Sequence, residues 1–191
     1  SASVMPNVMY RNQGGTRFTD VTYSGGFGHL QKGHAVVFAD FDNDGDNDVF
    51  QQMGGAFPVD GFNNALYENP GFDHHWVTVQ LVGDRSNRSA IGARLHVQVT
   101  ENGTSRSIYR HVNSGGSFGA NPLRQTIGLG SASRLETLEV FWPTTGITQT
   151  FTDVPVDRVI RIVENDASYE TVPLESVEFR IEHEGMHVEP R

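Results

Sequence analysis

"GHAVVFADFDNDGDNDVFQQM", residues 33–53, holds the reading that decides the fold. Two β-branched and aromatic runs, "HAVVFAD" and "DVFQQM", flank an aspartate at every second position: Asp40, Asp42, Asp44, Asp46 and Asp48. In an extended strand all five carboxylates would leave one face. Neighbours about 7 Å apart would then repel by about 2 kcal/mol per pair at an effective dielectric near 20. A cation among the oxygens removes that cost. The spacing also fits a cation loop: Asp40, Asp42 and Asp44 supply side-chain oxygens at positions 1, 3 and 5. Gly45 permits the sharp turn at 6, Asp46 offers a carbonyl at 7, and Asp48 closes the cage at 9. An EF-hand would need helices and a glutamate at position 12, where Gln51 stands. The expectation is a β-flanked calcium loop, with the ion structural; magnesium prefers more water and a stricter octahedron.

Outward from that loop the chain reads as strands. "RFTDVT" precedes it, and "NVMYRNQGG" (7–15) recurs as "NALYENPG" (64–71), an offset of 57 residues that hints at a repeated β-unit. From residue 74, "HHWVTVQLVG" and "ARLHVQVTENG" alternate apolar with polar residues, the second ending on an Asn-Gly turn. "SRSIYRHV", "RQTIGLG", "RLETLEVFWP", "TQTFTDVP" and "RVIRIVEN" continue at spacings of about ten residues. No segment holds a helical period over eleven residues. Regular short strands imply a sandwich or barrel. The organisation expected is all-β: a blade-like calcium-binding unit over 1–72, packed on a β-sandwich over 73–165. Linker and a C-terminal hairpin follow over 166–191.

Composition narrows the function classes. The 191 residues include no cysteine, so disulfides and thiolate metal sites are excluded. No long apolar run is present, so no membrane span is expected, and "SASVMPNVMY" has neither the basic start nor the apolar stretch of a signal peptide. A net charge of −9 argues against nucleic acid as partner. Its distribution is uneven. Residues 85–134 carry seven arginines against one acid, Glu101. Arginine's planar fork suits carboxylate and sulfate. Arg94, Arg106, Arg110 and Arg124, with Tyr109, His111 and nearby Phe118, are therefore candidates for a groove that binds an acidic polysaccharide. The competing reading is a solvated face, or one docked on the acidic unit of the same chain.

The residues also carry a resemblance. "YRNQGGTRFTDVT" followed by "GHAVVFADFDNDGDNDVF" resembles the FG-GAP/VCBS repeat, a blade of integrin-like propellers with an Asp-rich calcium loop, and "LYENPG" resembles the start of another blade. "IGARLHVQV" (91–99), "SGGSF" (114–118), "LRQTIGLG" (123–130), "LETLEVFWP" (135–143) and "GITQTFTDVPVDRVIRIVE" (146–164) resemble the ASPIC/UnbV domain. The resemblance implies a secreted, surface-exposed or periplasmic protein, calcium in the blade loop, and binding or adhesion rather than chemistry. One blade is a departure from the several a propeller needs.

Three lesser motifs stand beside these. "HEGMH" (183–187) matches a zincin, with His183 and His187 as ligands and Glu184 as base. That chemistry needs a helix, yet Val177, Phe179 and Ile181 alternate like a strand. His74 and His75, with His29 or His34, could form a zinc site. "NRS" (87–89) and "NGT" (102–104) are glycosylation sequons. No acid–base pair assembles among Glu101, His96, Tyr109 and His111. A binding module is thus preferred to the alternatives, an accessory or catalytic domain of a carbohydrate-active enzyme, or a structural cap of a longer propeller.

Overall fold

The computed structural model describes residues 5–55, 57–116, 120 and 122–179. Among them the chain is all-β, apart from one 3-10 turn at Pro58–Asp60. The first unit holds β1 (Met5–Pro6), β2 (Tyr10–Gln13), β3 (Arg17–Asp20), β4 (Leu30–Gln31), β5 (Gly33–Ala39), β6 (Asp48–Met53) and β7 (Ala65–Tyr67). β5, β6 and β7 form an antiparallel sheet, β2 and β3 a hairpin, and β1 pairs with β4. This is the blade-like unit, and β6 is its central strand.

The second unit holds β8 (His75–Val82), β9 (Arg94–Glu101), β10 (Thr104–His111), β11 (Gln125–Gly130) and β12 (Arg134–Trp142). β13 (Ile147–Pro155), β14 (Arg158–Val163) and β15 (Tyr169–Val172) complete it. Two four-stranded sheets, ordered β10-β9-β12-β13 and β11-β8-β14-β15, pack as a sandwich. Alternation does the packing. Leu95, Val97 and Val99 of β9 face inward beside Leu138 and Val140 of β12, and meet Val77, Val79, Ile160 and Ile162 of the other sheet. Each such side chain contributes about 1.5–3 kcal/mol by leaving water. The β9–β10 hairpin turns at Asn102 (φ 50°) and Gly103 (φ 77°), the left-handed pair that a two-residue hairpin with the strands' own twist requires.

The core cluster lies entirely within the sandwich. In the first unit the buried apolar residues are Val49 and Met53 alone among those described. Two features depart from the expected outline. β8 and β14 pair in parallel, a long-range pairing that joins the first and seventh strands of the sandwich. Tyr169–Val172, assigned to linker, forms a strand on the edge of that sheet, because Tyr169 and Val172 pair with Ile162 and Val159. The expected hairpin beyond residue 179, with "HEGMH", lies outside the described residues. Among the described residues no helix is long and apolar enough to cross a membrane.

Candidate metal centre

β5 ends at Ala39, opposite Asp48, the first residue of β6. The residues between them turn back through Asn43 (φ 61°) and Gly45 (φ 103°). Asparagine tolerates that region and glycine enters it without steric cost. The alternating aspartates therefore do not lie along a strand: the turn folds them inward. One side-chain oxygen each from Asp40, Asp42 and Asp44 lies within 4.8 Å of the others. Three hard oxygens at that separation could hold a hard divalent cation.

The surroundings of Asp40 favour such a cation. The residue is 5% exposed, and neither carboxylate oxygen has a hydrogen-bond partner. Unpaired buried charge is among the costliest features a fold can carry. Burial pushes the Asp40 carboxyl above the usual range, only partly offset by the backbone N–H of Gly45, the Arg124 guanidinium and the backbone N–H of Asn43. Asp42 is raised for the same reason, although its Oδ1 accepts the Asp44 amide at 3.3 Å. Asp46 is pushed up to about 6, first by burial and then by the negative charges of Asp44, Asp48, Asp42 and Asp40. Its Oδ1 is likewise buried without a partner.

Asp48 differs from its neighbours. Its Oδ2 accepts the Phe41 amide at 3.0 Å and its Oδ1 the Asn69 amide at 2.9 Å. The side chain thus closes the loop and ties it to the segment after β7. Asp46 and Asp48 stand outside the cluster of three.

Three parts of the second half hold the loop from outside. The Trp76 indole of β8 packs so closely on Gly45 that a Cβ there would run into it. Arg124 donates through Nη2 to the Asp40 carbonyl and to Asn43 Oδ1, both at 3.0 Å. After β15, the Val177 amide donates to the Asp42 carbonyl at 2.7 Å, and Asn43 Nδ2 donates to the Glu175 carbonyl at 3.0 Å. Gly45 carried a local signal in the sequence; Trp76, Asn69 and residues 175–177 carried none.

The six residues predicted to bind a ligand divide into three places. Arg94 and Tyr109 lie on the outer face of the β10-β9-β12-β13 sheet. There the Arg94 guanidinium sits 4.5 Å above the Phe141 ring, and Tyr109 stacks on His96 at 4.7 Å. Arg106 and Arg110 point to the other side of edge strand β10, where Arg106 pairs with Glu101 at 3.3 Å. His111 and Arg124 meet in a cleft of about 380 Å³ between the two units. These six residues do not share one face. Phe118 lies outside the described residues. His75 pairs with Asp157 at 2.7 Å, and His34 sits by the Gly54 carbonyl, so the histidines do not assemble a zinc site among the described residues.

No curated protein matches the chain. Two family models do: residues 2–50 match the FG-GAP-like repeat, and residues 83–169 match ASPIC and UnbV. The first match ends within β6, just past the aspartate loop, and the second covers the sandwich from the end of β8 to the first residue of β15. The chain carries an FG-GAP-like repeat followed by an ASPIC and UnbV domain.

Proposed function

We propose that this chain is an extracellular binding module in which a calcium ion, held by Asp40, Asp42 and Asp44, locks the FG-GAP-like unit onto the sandwich. The observation that carries this reading is the pair of buried Asp40 oxygens without a hydrogen-bond partner. The loop is also the place where β8, Arg124 just ahead of β11 and the segment after β15 converge, so an ion there stabilises the junction as well as the turn. The partner class that the arginine content favours is an acidic polysaccharide. Titration of the chelator-treated protein with calcium and with magnesium, followed by calorimetry, tests the metal. Saturable calcium binding in 1:1 ratio, weakened at least tenfold in Asp40→Asn, is expected. Equal response to both ions, or an unchanged variant, would sink the reading.

A second reading has its own observation. Among the described residues, fourteen of the nineteen exposed large apolar side chains precede residue 73, Phe18, Tyr23, Phe57 and Phe72 among them. A blade surface so apolar suits coverage by neighbouring blades of a longer propeller. The two readings are compatible, since an end piece can also bind.

A further inference from the structure

The cleft between the units combines features that the flat outer sheet face does not. It is concave, holds about 380 Å³, and lies where two units meet, the common setting of ligand sites. Phe38 and Phe41 line its blade side and are 51% and 39% exposed. Exposed aromatic faces suit the C–H faces of a sugar ring. Across from them stand His111, Gln125 and Arg124. The hydrogen bonds of Arg124 go to neutral oxygens, the Asp40 carbonyl and Asn43 Oδ1, and it forms no ion pair among the described residues. Its positive charge acts on the nearby Asp40 carboxylate, and a cation in the aspartate loop would release that charge to an acidic ligand. On the sheet face, by contrast, Arg94 covers Phe141, while His96 is held by Glu139 at 2.8 Å and by Ser107 at 3.0 Å.

Asp40 also lines this cleft. Its bare carboxylate would repel an anion, and a cation at the loop cancels that charge. We propose that the inter-unit cleft binds an acidic saccharide, with Phe38 and Phe41 stacking on sugar rings and Arg124 and His111 meeting a carboxylate or sulfate, and that this binding requires the loaded aspartate loop. The inference rests on the acidic-polysaccharide reading above and assigns its site and its dependence on metal.

The test measures binding of the full chain to a hyaluronan hexasaccharide by calorimetry, with chitohexaose as the neutral control. Affinity electrophoresis through hyaluronan, polygalacturonate and chondroitin sulfate gels runs alongside. Phe38→Ala and Phe38→Ala/His111→Gln probe the cleft; Arg94→Gln/Tyr109→Ala probes the sheet face. The calcium-induced rise in thermal midpoint reports that each variant is folded. Expected is a loss of affinity of at least tenfold in the cleft variants and in chelator, with less than twofold change in the sheet-face variant. Loss confined to the sheet-face variant, or full affinity in both cleft variants, overturns the cleft while leaving the acidic-saccharide reading intact. Equal binding with calcium and with chelator overturns the metal requirement. Retardation by none of the three acidic gels in calcium overturns the acidic-saccharide reading itself.

Discussion

Buried Glu164 and half-buried Asp46 have opposite surroundings, and their chemistry follows from that. Glu164 is 2% exposed and accepts five hydrogen bonds. Three come from the consecutive amides of Asp84, Arg85 and Ser86 at 2.9, 2.8 and 2.7 Å. Burial acting alone would raise its pKa, but the bonds, led by the Ser86 amide, outweigh it and bring the carboxyl down to about 2. A depressed folded pKa gives stability that is present above the unfolded value near 4.5 and lost as pH falls towards 2. Glu164→Gln should therefore cost roughly 2–3 kcal/mol at pH 7 in urea unfolding, and the loss should shrink as pH falls through that window. Asp46 has the reverse sign. Its raised pKa, about 6, means that the metal-free protein gains stability as pH falls below neutrality, fully by the unfolded value of 3.8. In chelator the thermal midpoint should rise from pH 7 to pH 5, and saturating calcium should abolish that rise. Gly45→Ala is a third case at this scale. Its left-handed φ and the Trp76 ring both oppose a Cβ, so calcium affinity should fall at least tenfold in a titration.

Strands differ in what they contribute, and period-2 alternation separates them. β12 buries Leu135, Leu138, Val140 and Trp142, each without exposed surface, between a paired strand on either side. Leu138→Ala should cost about 2–5 kcal/mol by urea unfolding. Val36→Ala on β5, whose side chain is exposed, should cost less than about 1 kcal/mol. The strands of the sandwich were legible because each carries its own alternation and the Asn102–Gly103 turn carries its own chemistry. β15 was not legible. "YETV" is four residues with one apolar position facing the core, and its strand character comes from the edge of β14.

The molecule as a whole is unevenly stable, since its hydrophobic core belongs to one unit and its aspartate loop to the other. Hydrogen exchange should reflect this: slow amides in β8, β9, β12 and β14, and faster exchange in the β2–β3 hairpin, where all but one residue are exposed. Chelator should quicken exchange at residues 40–48 and at Val177 while leaving β12 unchanged. A uniform response over both units would argue against the loop as the junction's lock.

What the sequence determined by itself was local. Strand periodicity, the hairpin turn and the aspartate spacing each depend on residues within a dozen positions of one another, and the fold class and the loop follow from them. Only the tertiary structure decided where the charges go. Arginines that look like one stripe between 85 and 134 end on a sheet face, on an edge strand and against the aspartate loop. Strand alternation sends neighbours to opposite sides, and the sandwich then carries those sides to different neighbours. The same holds for the contacts on the loop, since Trp76, Arg124 and Val177 reach it only after the pairing of β11, β8, β14 and β15 into one sheet has brought their segments together. Burial of apolar surface drives that pairing, and no spacing in the chain encodes which distant residues it will place beside Asp40.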